Sequence, residues 1–422
     1  MHIGVFGSGY LATVMSACLA DFGTPVTCYD DDYPHICSLA EGKVAFYERN
    51  LQDVIKRNVR AGRLVYSTDL ESFAHKSSIV FMAQDSDRNL EKTAEQMAAQ
   101  MGEQTMLVIS TPARVGTTTR IEERIAKRGN RVSVVTQPVF LTDGCAVEDF
   151  NWPDRLVLGT SSPQAVLLLK QIYRPLVMRG VPVIVTNHET AELAREASTA
   201  FVAAKISFIN EVAGLCERVS ADAVDLALAL GLDKKIGPRC LQPGAALGGA
   251  FVESQMASLD ALAREHGVSL KILGAAREVS RTMCETVVDK ITALVHTISG
   301  KEVAILGLAF KPHTSSVAGS ASLAVARRLT SIGARVRAYD PVAIAEAKQQ
   351  LQTTVRFCET PYAAAEGADA VVLGTGWPEF RALDFDRIKR RLRQPIIVDT
   401  KNLLDGERLR TMGYQYVGVG RS

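Results

Sequence analysis

The first thirty residues constrain the fold more than any other stretch. Ile3 to Phe6 is an apolar run, followed by Gly7-Ser8-Gly9-Tyr10-Leu11-Ala12 and an apolar-faced segment through Ala20. Val26 to Tyr29 is apolar again, and Asp30 closes it. A strand, a glycine turn, a helix and a second strand make a βαβ unit, in which the helix is the crossover between parallel strands. Gly7 and Gly9 allow a tight turn and let the first N–H groups of the helix, at Tyr10 and Leu11, approach a pyrophosphate at the helix's positive end. Asp30 lies 21 positions after Gly9. There it is placed to accept from a ribose 2′-hydroxyl and to repel a 2′-phosphate, so NAD is expected over NADP. A glycine turn kept only for packing is the alternative.

Strand-like segments recur at Ser78–Ala83, Met106–Ser110 and Arg131–Val135, with amphipathic stretches between them, which predicts a mostly parallel doubly wound sheet. From Glu189 the texture changes. Residues 189–232 contain no proline and read as one long helix with Leu193, Ala197, Phe201, Ala204 and Phe208 on one face, a pattern for a domain connector or a dimer face. A Gly/Pro/Ala-rich loop spans Gly237 to Gly249, and more helix follows to about Ser299. A second α/β pattern then begins with Val303–Leu306, Gly307, a helix over 321–332 and Val336–Asp340. Gly333 precedes Asp340 by seven positions, as Gly23 precedes Asp30, so this is an imperfect internal repeat. Its extra residues include Lys311-Pro312-His313-Thr314, at the mouth of the sheet where ligands of such folds bind. The expected fold class is α/β, with two Rossmann-like doubly wound domains joined by a long central helix and a helical dimerisation domain. The expected boundaries are 1–187, 188–299 and 300–422.

Composition excludes several other classes. Forty-eight Lys+Arg against 46 Asp+Glu leave a net charge of +2 with no basic tract, so nucleic acid is not expected as a partner. No 18-residue uninterrupted apolar run occurs, so neither a spanning helix nor a membrane partner is expected. The N-terminal MHIGVFGSGY enters a strand at once, without a signal-peptide build. Eight cysteines without a CxxC pair, and seven scattered histidines, argue for reduced thiols in a cytoplasmic protein and against a metal site.

The sequence as a whole resembles the UDP-glucose/GDP-mannose dehydrogenase family. The resemblance is carried by GSGYLATVMSACLADFGTPVTCYDDD at 7–32, FYERNL at 46–51, VISTPARVGTTTRI at 108–121 and FLTDGCAVEDFNWPDRLVLG at 140–159. It continues in AELAREASTAFVAAKISFINEVAGLCE at 191–217, IGPRCLQPGAALGG at 236–249, LGLAFKPHT at 306–314 and VDTKNLLD at 398–405. It implies an NAD-dependent oxidoreductase acting on a nucleotide sugar, working as a homodimer. Family members oxidise a C6 alcohol to a carboxylate with two NAD, through a cysteine thiohemiacetal and a thioester.

Carried over residue by residue, the resemblance breaks at the chemistry. The family's GGSCFPKD falls on Gly248-Gly249-Ala250-Phe251-Val252-Glu253-Ser254-Gln255, so Phe251 stands where the nucleophilic cysteine is expected and Gln255 where an aspartate is. The family's lysine and asparagine on the central helix fall on Arg195 and Thr199, and its PEF glutamate on Val139, while Thr111 and the carboxylate of Asp143 are retained. The resemblance therefore implies Thr111, Asp143 and Arg195 as the catalytic group, and adds Thr111 to the cofactor set of Gly7, Gly9, Tyr10, Leu11 and Asp30. Substrate contacts would come from Arg195, Gly244, Gly248, Gly249, Phe251 and Lys311, with Lys235 where the family has an arginine that reaches across the subunit interface. The family's GTP turn reads Asp85-Ser86-Asp87. Three readings stay open: non-covalent hydride transfer on a UDP-sugar-like substrate, a catalytically inactive NAD- and nucleotide-sugar-binding paralogue, and a UDP-glucose 6-dehydrogenase with a nucleophile relocated to Cys145 or Cys240. His188 is a further candidate base, or else a residue that caps or decorates the helix start.

Overall fold

In the computed structural model of the chain, the residues described are 1–102, 105–244, 250–351 and 355–421. They pack as two compact units, Met1–Ala197 and Ser198–Ser422. The first is built on strands β1 (Ile3–Phe6), β2 (Val26–Tyr29), β3 (Leu64–Ser67), β4 (Ile79–Met82), β5 (Met106–Ile109), β6 (Ser133–Thr136), β7 (Leu156–Gly159) and β8 (Val183–Thr186). Their order is β3-β2-β1-β4-β5-β6-β7-β8, parallel throughout except for the β6/β7 pair. β1, β2, β4 and β5 are short apolar runs, almost wholly buried, because helices cover both faces of the sheet. The chain order reverses at β1, whose neighbours are β2 and β4. The crevice at their C-terminal ends is where such sheets bind ligands.

The second unit carries β9 (Glu302–Leu306), β10 (Arg335–Tyr339), β11 (Val355–Phe357), β12 (Ala370–Leu373), β13 (Ile396–Asp399) and β14 (Gln415–Gly418), all parallel, in the order β11-β10-β9-β12-β13-β14. Its switch point is at β9, so the loop bearing Lys311 leaves the sheet at the corresponding place. The repeat read from Gly307 and Asp340 is real in topology but differs in chemistry. Asp340 is 1% exposed and accepts from the backbone N–H groups of Leu308, Ala309, Val342 and Ala343 and from the indole of Trp377. Its carboxylate closes the turn after β9 from within, whereas Asp30 of the first unit is half-buried at the edge of its turn.

The long helix expected over 189–232 is two helices, a central helix His188–Arg218 and a second, Ala223–Leu232. Ser220 takes a left-handed φ of 58°, and the Asp222 side chain caps the next helix by accepting from the N–H groups of Val224 and Asp225. An apolar periodicity that continues across the join hides a Ser-Ala-Asp stop. By length and composition the central helix is also apolar enough to cross a membrane, with an 18-residue mean hydropathy of 1.3, although no uninterrupted apolar run of that length occurs in it. Its polar groups are engaged with protein: the Lys205 amine donates to the carbonyls of Ile236 and Gly237, and Asn210 accepts from Gly244. The region after it forms the helices Ala250–Glu265 and Lys271–Val295.

Candidate active site

The glycine turn stands at the C-terminal end of β1. Gly7 has a φ of 114°, which a side-chain-bearing residue rarely adopts, and a Cβ there would press on the Ala83 carbonyl at 3.0 Å. Gly9 is the N-cap of the helix α1 (Tyr10–Asp21) and has no side chain to cap it. Asp30, one residue past β2, accepts from the Ser8 hydroxyl at 2.8 Å and from Asp32 N–H at 3.1 Å. The turn, the helix start and the acid expected of a dinucleotide site are therefore together at the switch point. The N–H groups of Tyr10 and Leu11 are already engaged, however. The Asp85 carboxylate, from the loop after β4, accepts from them at 3.2 and 3.4 Å.

Thr111 follows β5. Its hydroxyl donates to the Met82 carbonyl at 3.1 Å and accepts from Gln84 N–H at 3.0 Å, tying the ends of β4 and β5 together. The proton is committed, so what Thr111 can still offer a ligand or water is a lone pair. Asp143 sits in a loop fastened by Glu48, a 7% exposed carboxylate that accepts from Gly144 N–H, Ala146 N–H and the Tyr10 hydroxyl. Burial first, then Glu48 and Asp143, push the Tyr10 phenol far above its usual value. Tyr10, Glu48 and Asp143 thus form one acidic cluster beside the start of α1.

Arg195 lies on the central helix, three positions after Glu192 and so on nearly the same face. Desolvation lowers its pKa to about 10, with Glu196 opposing the shift, and at neutral pH the guanidinium stays charged. Glu192 holds the helix start. It accepts from Gly116 N–H at 2.6 Å, Thr118 N–H at 2.9 Å and the Thr118 hydroxyl at 2.8 Å, and so caps the helix Thr117–Lys127. Burial raises the Glu192 pKa, and these donors work against the rise. His188 is 8% exposed, between the Thr136 hydroxyl and the Glu122 carboxylate, in a structural position at the helix start.

In the second unit Gly244 donates to Asn210 at 2.9 Å, and a Cβ on it would meet the Thr400 carbonyl at 2.8 Å, so this glycine serves close backbone approach beside β13. Lys401 follows, and desolvation draws its amine down to about 8 while Asp399 pulls it back. Lys311 is half-buried next to the Phe310 ring, with Thr314 buried behind it. Lys235 is exposed, and its N–H donates to Asp233. Gly248, Gly249 and the Phe251 side chain lie outside the described residues. Asp85, Glu48, Glu192 and Lys401 were not singled out from sequence as site residues. Only the departure of Asp85-Ser86-Asp87 from the family turn offered a signal. Among the described residues no cluster of His, Cys, Asp or Glu is arranged for a metal ion.

Residues 1–177 match the family model for the UDP-glucose/GDP-mannose dehydrogenase family, NAD binding domain, 189–282 its central domain and 304–406 its UDP binding domain. The chain is 36% identical to the UDP-glucose 6-dehydrogenase of Rhizobium meliloti (strain 1021), over 100% of both chains. It is 33% identical to UDP-glucose 6-dehydrogenase TuaD of Bacillus subtilis (strain 168), over 99% of this chain and 93% of that one. The structure of a UDP-glucose dehydrogenase from Pyrobaculum islandicum superposes with a TM-score of 0.90 at 29% identity, covering 100% and 98% of the two chains. A cofactor turn that ends at Asp30, two parallel α/β sheets with a long helix between them in sequence, and full-length similarity lead to one conclusion: the chain belongs to the UDP-glucose/GDP-mannose dehydrogenase family and is an NAD-dependent nucleotide-sugar dehydrogenase.

Proposed function

We propose that the chain acts on a UDP-sugar-like substrate by non-covalent hydride transfer and does not carry out the cysteine-dependent two-step oxidation. What supports this reading is the absence of any cysteine between Cys240 and Cys284, in the stretch where the resemblance puts Phe251 at the place of the family's nucleophile. A benzyl group forms no thiohemiacetal, so an aldehyde made here has no covalent route to a thioester. Cys145 and Cys240 are poor substitutes: the two residues flanking Cys145 donate their N–H groups to the Glu48 carboxylate, and Cys240 is exposed. Thiolate formation asks for an electropositive setting.

When bound, NAD supplies the two-electron acceptor that takes the carbon-bound hydrogen as hydride. Asp143 accepts the hydroxyl proton, through a water that Thr111 orients with its remaining lone pair, and the C–O bond becomes a carbonyl. Arg195 balances the alkoxide charge as it develops. Gly7, Gly9, Tyr10, Leu11 and Asp30 orient the cofactor, while Gly244, Gly248, Gly249, Phe251 and Lys311 contact the nucleotide sugar. Such a site releases a carbonyl sugar, returns the hydride to the other face, or oxidises a gem-diol directly. The proposed division of labour is cofactor binding in 1–187, dimerisation in 188–299, where Lys235 extends toward a second copy, and nucleotide binding in 300–422. The thiols suit a reducing compartment, which supports a cytoplasmic location.

The test is a panel of nucleotide sugars with NAD, following reduced cofactor and product mass. One hydride per sugar, or an isomer with none, supports the proposal. Two hydrides and an acid lost in Cys145→Ala or Cys240→Ala would establish a relocated nucleophile. Silence across the panel with NAD still bound would make the chain an inactive binding paralogue.

A further inference from the structure

The donors of the cofactor turn have a partner supplied by the chain itself. α1 is 12 residues long, and its N-cap glycine contributes no side-chain acceptor. The Tyr10 and Leu11 N–H groups bond instead to Asp85, one carboxylate oxygen each, across 75 and 74 residues of sequence. The fit uses the absence of a side chain at Gly9, where a Cβ would overlap the Asp85 carboxylate. Asp85 is exposed, at the start of the loop that connects β4 to the following helix, so it reaches the turn from outside and nothing buries it there.

We propose that Asp85 is a built-in competitor of the cofactor pyrophosphate and sets the affinity of this chain for NAD. The inference rests on the cofactor reading of the glycine turn. Two anions cannot share one pair of N–H donors at one helix terminus, since each owes its place to the same partial positive charge. Binding of the dinucleotide is therefore an exchange. The carboxylate leaves the turn for solvent, the pyrophosphate takes the N–H groups, and Asp85 becomes a like charge at the rim of the site. The second unit also holds an acid on backbone N–H groups after its first strand, Asp340 on Leu308 and Ala309, though these belong to a loop and its helix starts only at Ala321. There the acid is buried and cannot be displaced, whereas Asp85 is free to turn outward.

The experiment measures binding, not turnover. Calorimetric titration of the full chain, of Asp85→Gly and of Asp85→Asn uses NAD and ADP-ribose, with adenosine as the phosphate-free control. Asp85→Gly is expected to tighten NAD and ADP-ribose by about 10-fold, the scale of a carboxylate held at a helix N-terminus. Asp85→Asn, neutral but still an acceptor, should fall between it and the wild type, with adenosine unchanged in all three. Thermal melting checks that the variants fold, which the exposure of Asp85 favours. Unchanged or weaker ADP-ribose binding in both variants overturns the proposal alone, as does an equal gain for adenosine. Failure of all three proteins to bind NAD or ADP-ribose overturns the cofactor reading along with it.

Discussion

In the proposed site Arg195 takes the place of the family's lysine, and its chemistry would depart from a lysine's in one direction only. A guanidinium lowered to about 10 stays charged through the working range and stabilises negative oxygen without accepting a proton. Arg195→Met is expected to lower kcat by about 10² to 10³-fold with a smaller change in KM, the signature of an interaction made mainly in the transition state. Steady-state kinetics on the active sugar check it, and an equal loss in KM would assign Arg195 to ground-state binding. Lys401 offers a test by pH. Its folded pKa of about 8 lies below the 10.5 of an exposed lysine, so the unfolded chain binds more protons between those values and stability rises with pH across that window. In Lys401→Met the rise from this group, up to about 3 kcal/mol, should disappear, as measured by denaturant melts at pH 7.5, 9 and 10.5. The place of Asp30 beside the glycine turn was legible because it follows a strand at a fixed distance from Gly9. The burial of Lys401 was not legible, because the loop of Gly244, distant in sequence, packs beside it.

Helix ends decide much of the local geometry, and here several are capped from far along the chain. Glu192 supplies the acceptor that Gly116 lacks for the helix Thr117–Lys127 and so fixes the loop running from Thr111 to that helix. Glu192→Ala leaves buried N–H groups unpaired and should destabilise the first unit by about 2–3 kcal/mol, measured by urea melts. Its effect on catalysis should be in kcat, through displacement of Thr111 and Arg195, and Glu192→Gln, which keeps one acceptor oxygen, should restore part of both. The strands and the βαβ order could be read directly, because period, glycine turns and acidic strand ends are local patterns. The carboxylate caps could not: Glu48 meets Gly144 from 96 positions away and Glu192 meets Gly116 from 76. An acid in a loop or on a helix face carries no mark of the terminus it will reach. The join at 219–222 was missed for the opposite reason. Its signal was local, in Ser220 and Asp222, but an apolar spacing that runs on into Ala223–Leu232 masked it.

At the scale of the whole molecule, one surface is out of keeping with a chain that ends at its own boundary. Phe201, Phe208 and Leu215 recur every seven residues along the central helix and are 72%, 54% and 58% exposed. A seven-residue apolar repeat is the seam of a helix pair, and of the ~150–250 Å² an aromatic side chain buries in full these two phenylalanines still offer roughly 80–180 Å² each to whatever covers them. The occupant that matches such a stripe without further assumption is the same stripe on a second copy, packed about a twofold axis that brings each residue against its symmetry partner's face. This supports the proposed homodimer and gives Lys235 a role to be tested. Phe201→Glu combined with Phe208→Glu places charge in the seam and should yield monomers by light scattering at micromolar concentration, with circular dichroism unchanged, since neither side chain serves the core of its own chain. If Lys235 contributes to the partner's substrate site, the monomer should also lose nucleotide-sugar affinity while keeping that for NAD. A wild-type chain that is itself monomeric at that concentration would overturn the dimer and, with it, any part for Lys235 beyond its own subunit.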